Sequence, residues 1–78
     1  MTPLAHDLLG ELLVAGPSRA ADLVDAFHEL DGVEPAEIVD ALNAIGGAGL
    51  AESRNINGAP FWVITEAGRL ELATRQRS

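Results

Sequence analysis

Residues 50–65 read LAESRNINGAPFWVIT and contain the clearest structural signal in the chain. Asn57 and Gly58 separate two segments of strand-like residues, 50–56 and 59–65. An Asn-Gly pair in this setting is the strongest short-range signal of a β-hairpin, because both central positions of a type I′ turn need a positive φ. The stretch therefore predicts two antiparallel strands joined by a two-residue turn.

Three amphipathic helices are predicted upstream of the hairpin. The first covers residues 3–15, where leucines recur at helical spacing behind an N-cap at Thr2. The second is predicted to start after an N-cap at Ser18 and to end at residues 31–32, an Asp-Gly pair. The third starts near Glu34 and ends at a run of glycines.

The apolar residues of these helices fall into stripes that predict the core. The predicted stripe of the second helix consists of Ala20, Leu23, Val24, Phe27 and Leu30. The predicted stripe of the third helix consists of Ile38, Leu42, Ile45 and Gly49. Downstream of the hairpin, Thr65 is predicted to cap a last helix over residues 66–76, in which Gly68 permits close approach to the sheet.

The order helix, helix, helix, hairpin, helix predicts an α+β fold. Short helices cannot bury their stripes alone, and an isolated two-stranded hairpin is marginally stable. Packing the hairpin across the helices would bury the apolar stripes and also stabilise the hairpin. We therefore predict a winged helix-turn-helix domain over residues 1–78, in which a three-helix cluster carries a two-stranded wing and a short C-terminal helix.

Several stretches resemble the winged-helix cores of MarR-like and PadR-like bacterial transcriptional regulators. Residues 41–53, ALNAIGGAGLAES, and 61–72, FWVITEAGRLEL, are similar to the end of their third helix, the wing and the helix that follows. Residues 11–27, ELLVAGPSRAADLVDAF, are similar to their first two helices. The resemblance implies a module that regulates transcription and binds DNA. Its most specific part, ITEAGR over residues 64–69, has structural roles.

The charge is unusual for a DNA-binding protein. The chain of 78 residues has a net charge of −7. Residues 1–49 contain nine acids against Arg19 alone, giving −8, whereas residues 50–78 contain three acids and four arginines, giving +1. Phosphate neutralisation supplies most of the affinity of nucleic-acid binders, so the helical part is expected to repel DNA at long range.

No motif indicates an enzyme, a cofactor or a metal. The chain has no cysteine, which excludes disulfides and thiolate metal sites. His6 and His28 lack the spacing of metal ligands. No convergent set of catalytic residues is apparent. We expect neither a catalytic nor a metal site.

Two hypotheses for function follow. In the first, the domain binds DNA through the residues best suited to bases and phosphates, namely Arg19, Asn43, Arg54, Asn55 and Asn57. In the second, the acidic third helix and apolar wing residues bind a basic protein partner, with the carboxylates standing where DNA phosphates would lie. The candidates for that contact are Glu37, Asp40, Ile56, Phe61 and Val63.

The hairpin register predicts which wing residues face the core. A turn at 57–58 makes the cross-strand pairs Arg54–Phe61 and Glu52–Val63. Trp62 and Ile64 then point inward, and Phe61 and Val63 point outward or pack on the first or last helix.

We also expect a weak homodimer through the first and last helices. The apolar residues available for it are Leu9, Leu13 and one of Leu70 and Leu72, which lie about 200° apart around the last helix. The N-terminal residues lack the pattern of a signal peptide, and no apolar run is long enough to span a membrane. A cytoplasmic location and no membrane partner are therefore expected.

Overall fold

The computed structural model describes residues 2–76, except for the side chains of residues 75 and 76. The predicted domain extends to residues 1, 77 and 78, which lie outside the described part. The elements in chain order are α1 (Pro3–Ala15), α2 (Ala20–Asp31), α3 (Pro35–Gly47), β1 (Ala51–Ile56), β2 (Ala59–Ile64) and α4 (Glu66–Gln76). The α+β order and the hairpin are as predicted.

The core lies where α1, α2 and α3 meet the inner side of the hairpin. Leu8, Leu9 and Leu12 of α1 pack against Ile38 and Ile45 of α3, and all five side chains are almost completely buried. Trp62 and Ile64 of β2 pack against this core, as the register predicted. No charged side chain is buried within the described residues, because the helices present their acids to solvent.

Two predicted stripes are too wide. Leu30 lies at the end of α2 and is 82% exposed, and Ala20 at its start is exposed as well. Only the middle of α2, with Leu23 and Phe27, reaches the core. Gly49 does not share the buried face of α3, because it lies in the turn beyond the helix with a φ of 77°.

The wing has the predicted turn and register. Asn57 and Gly58 have φ values of 53° and 84°, as a type I′ turn requires. Arg54 is paired with Phe61 and Glu52 with Val63. The two strands therefore alternate between an inner face on the core and an outer face that carries both of these pairs.

Ser18 has a different role from the predicted one. Arg19, not Ser18, is the N-cap residue of α2, and no side chain among the described residues caps that helix. The backbone of Ser18 instead forms a β-bridge with Trp62, accepting a hydrogen bond of 2.7 Å from its N–H and donating one of 3.0 Å to its carbonyl. The extended backbone that pairs with β2 takes Ser18 out of the capping position. This bridge fastens the wing to the start of α2.

Candidate nucleic-acid interface

The outward face of α3, the helix that precedes the wing, is acidic. Ile38, Leu42 and Ile45 anchor the inner face in the core. Glu37, Asp40 and Asn43 are exposed on the other side, as the helical periodicity predicted. Only Asn43 is suited to reading a base edge. α3 contains no basic residue.

The two asparagines of the wing differ in which side-chain groups are available to bind DNA. The Asn55 side-chain oxygen accepts a hydrogen bond of 3.0 Å from the N–H of Gly58 and so braces the turn. Its amide NH₂ group is left for other contacts. The Asn57 side chain is exposed at the tip.

Arg54 is engaged within its own strand. Its guanidinium lies 2.7 Å from a carboxylate oxygen of Glu52, and its Nε donates a second hydrogen bond of 2.8 Å to the same oxygen. Both side chains are exposed, so this pair adds little to stability. Sequence spacing places the two residues on one face of the strand, but it did not reveal that the carboxylate partly neutralises the candidate arginine.

Arg19 lies over the ring of Phe61, and Arg54 is the cross-strand neighbour of that residue. The guanidinium carbon of Arg19 lies 5.4 Å from the centre of that ring, within the range of a cation–π contact. Arg54 lies directly across the hairpin from Phe61 and on the same face. The structure thus brings together two DNA candidates and one protein-interaction candidate. We call this group of Arg19, Arg54 and Phe61 the wing cluster.

The apolar wing candidates are less exposed than the prediction that they face outward implies. Ile56, Phe61 and Val63 are each only half-exposed. Arg19 covers part of Phe61, and Val63 lines a small cleft with Leu13 at the end of α1. The alternative left open, packing on the first or last helix, fits Val63, whereas Phe61 is covered by the residue that precedes α2. They do not form a fully open apolar surface.

Arg69 is a basic residue that the sequence analysis did not select. It lines an open groove of about 660 Å³ between the outer face of the wing and α4, together with Arg54 and Glu52. The signal for it was the positive charge of residues 50–78. The groove places Arg69 beside Arg54, but Glu52 and Glu66 also line it, so the two arginines are balanced by two acids.

The nine acids of residues 1–49 make the helical part of the surface acidic. All nine are exposed, and within the described part of the chain none is paired with an arginine. Asp7 lies 4.0 Å from the ring nitrogen of His6. No group of three or more metal-ligating side chains occurs among residues 2–74.

The apolar surface on the first and last helices is smaller than the predicted homodimer contact requires, because some of the residues expected to form that contact are buried. Leu9 is completely buried because it packs in the core, so it is not available to a partner. Leu72 is also buried, whereas Leu13 and Leu70 are 45% and 62% exposed. Of the residues expected to contribute, only these last two remain on the surface. None of the described helices is long and apolar enough to cross a membrane.

The fold is similar to that of a transcriptional regulator, Tm0710 from Thermotoga maritima, in its crystal structure. The TM-score is 0.75 at 22% sequence identity, and the match covers 97% of this chain. It covers 54% of the other chain, so this protein spans about half the length of that regulator. No protein-family model and no curated protein matches the sequence. The chain therefore has the predicted winged-helix fold, while a MarR-like or PadR-like affiliation stays a prediction.

Proposed function

We propose that the chain is a transcription-regulatory module that binds duplex DNA through its wing. The observation that carries this proposal is the wing cluster, in which Arg19 and Arg54 flank Phe61. Asn55 and Asn57 lie at the adjacent tip, where a wing can enter a minor groove. The winged-helix fold supports a regulatory role, and a cytoplasmic location is the corresponding expectation.

The proposed binding mode differs from readout by a recognition helix. Glu37 and Asp40 face outward from α3, and a phosphate at about 4 Å from either carboxylate would be repelled by about 1 kcal/mol in water. Asn43 lies further along the helix and is the one residue of that face that we assign to DNA. The two arginines of the wing cluster therefore supply the attraction for DNA phosphates, and α3 supplies a single polar contact.

Fluorescence anisotropy with a labelled duplex tests the proposal. We expect weak binding at low salt that is lost as salt rises, because the attraction comes from phosphate neutralisation. Arg54→Ala is expected to weaken binding about three- to tenfold and to lower the slope of log K against log salt by about one. Absence of binding by the unmodified chain at about 100 μM and low salt would contradict the proposal.

Glu52→Gln is the matched control for Arg54. This substitution removes the carboxylate that lies 2.7 Å from the Arg54 guanidinium. If Arg54 binds DNA, the affinity for DNA should rise, because the guanidinium no longer has an acidic partner in its own strand. Both variants alter exposed side chains on the outer face of β1, where effects on folding stability are small. Opposite changes in affinity from the two variants would support a direct contact of Arg54 with phosphate.

A second candidate function is favoured by the nine exposed acids of residues 1–49. Because no arginine pairs with them in the described structure, they are available to a basic protein. In this case the face of α3 binds the partner, and Glu37 and Asp40 take part.

The double variant Glu37→Gln, Asp40→Asn separates the two candidates. If the domain approaches DNA with α3 near the backbone, removing two carboxylates raises the affinity for the duplex. If α3 binds a basic protein, the same change weakens capture of that protein from an extract of the native host. A pull-down that recovers only nucleic acid would count against the second candidate.

A further inference from the structure

The outer edge of β1 is open, whereas the outer edge of β2 is closed. β2 lies between β1 and Ser18, whose backbone forms two hydrogen bonds with Trp62. Pro60 follows the same edge of β2 and has no N–H to offer to another strand. β1 contains no proline or lysine, and within the described part of the chain it has no bridge of this kind on its other side.

The hairpin register fixes which groups of β1 point toward the open edge. In a hairpin with a two-residue turn, the pair next to the turn exchanges hydrogen bonds, and bonded pairs then alternate. Arg54 and Glu52 therefore bond to β2, and the N–H and C=O groups of Ser53 and Asn55 point away from it. The outward bonding of Trp62 to Ser18 follows the same alternation.

These edge groups are accessible and have no backbone partner. Ser53 and Asn55 are exposed, as are the flanking Glu52 and Arg54. Among residues 2–76, no backbone hydrogen bond joins Ser53 or Asn55 to a residue outside the hairpin. An edge of this kind is a template for another strand.

We propose that a second copy of this chain pairs with β1 in antiparallel fashion, about a two-fold axis at Ser53. In this register Glu52 lies opposite the partner's Arg54, and Arg54 lies opposite the partner's Glu52. Both pairs are on the outer face of the joined sheet, where directly opposed charges of opposite sign are stabilising. The result is a sheet that runs continuously through both copies.

The charges also exclude the neighbouring registers. Two other registers also pair the edge groups, with the two-fold axis at residue 52 or at residue 54 instead of residue 53. The first places Glu52 opposite the partner's Glu52, and the second places Arg54 opposite the partner's Arg54. Like charges directly opposite destabilise a pair of strands. The segment Glu52–Ser53–Arg54 is thus complementary to itself in one antiparallel register, which argues for a second copy as the occupant. The inference goes beyond the proposed function and holds whether or not the chain binds DNA.

Sedimentation equilibrium with two charge variants tests the proposal. Glu52→Arg and Arg54→Glu each place like charges opposite one another in the homodimer, so each should raise the dissociation constant about tenfold or more. Mixed in equal amounts, the two variants regain opposite charges in both pairs and should associate as a heterodimer. Unmodified chain that stays monomeric up to about 1 mM, a range that covers even very weak dimers, would overturn the proposal.

Ser53→Pro provides a test that does not depend on charge. It removes an N–H that points away from β2, so the hairpin keeps its own bonds while the open edge loses its central donor. Circular dichroism checks that the variant is folded, and we expect it to be monomeric. Leu70→Glu changes the competing surface on α4 and should leave the dimer intact. If Leu70→Glu abolished association while Ser53→Pro did not, the dimer would form through the helices and the proposal would be wrong.

Discussion

The hydroxyl of Thr65 donates a hydrogen bond of 2.7 Å to the carbonyl oxygen of Gly49, across the base of the hairpin. The hydroxyl oxygen of Thr65 in turn accepts a hydrogen bond of 3.1 Å from the N–H of Gly68 in the first turn of α4. Thr65 therefore caps α4, as its sequence position predicted, and also ties the end of β2 to the turn that precedes β1. One side chain connects the wing, the third-helix turn and the last helix.

We expect Thr65→Val to lower the free energy of unfolding by about 1–3 kcal/mol, because both hydrogen bonds of the hydroxyl are lost while the shape is kept. Thr65→Ser retains the hydroxyl and is the control, expected to stay within about 1 kcal/mol of the unmodified chain. Urea denaturation measures both. Equal losses in the two variants would show that the methyl group, and not the hydroxyl, carries the effect.

Gly68 allows α4 to approach the start of the wing. A Cβ atom at this position would overlap the carbonyl oxygen of Leu50 and the Ile64 side chain. Gly68→Ala is therefore expected to destabilise the fold by about 1–3 kcal/mol, despite the better helix propensity of alanine. Gly10→Ala in α1 is the matched control, since a Cβ there meets nothing within 4 Å. That variant should raise the melting temperature, and a fall in both would contradict the steric explanation.

Asn57 holds the wing turn with a φ of 53°, in the left-handed region that most residues avoid. Asn57→Ala should cost about 1 kcal/mol of stability, because alanine is strained in that region. Asn57→Gly should be nearly neutral, since glycine adopts a positive φ without strain. Thermal denaturation followed by the fluorescence of Trp62, the chain's one tryptophan, measures both variants. Similar melting temperatures for the two would mean that the turn does not need this conformation.

Arg19 is expected to act in binding more than in folding. Arg19→Ala removes the guanidinium above Phe61, which should lower stability by only about 0.5–1 kcal/mol. It should weaken binding of duplex DNA about three- to tenfold at low salt, because one positive charge of the wing cluster is lost. Arg19→Lys keeps the charge and should recover most of the affinity. Anisotropy titration and urea denaturation together separate the two effects.

Several features that follow from local sequence were predicted correctly. Thr2 caps α1 by accepting a hydrogen bond of 3.2 Å from the N–H of Ala5, and residues 57–58 form the expected turn. The turn length then sets the hairpin register, and the alternation of side chains follows from it. These predictions succeed because they depend on backbone dihedral angles and on neighbours a few residues apart.

Other features depend on which elements pack against each other, and local sequence does not determine them. Ser18 could equally have capped α2, but β2 passes close enough for its backbone to pair with Trp62. Leu9 and Leu13 are both leucines of one helix, and only the position of α3 and the hairpin makes the first buried and the second exposed. The contact of Arg19 with Phe61 joins residues far apart in the chain. Such contacts gain their free energy from long-range packing, which no local pattern of residues encodes.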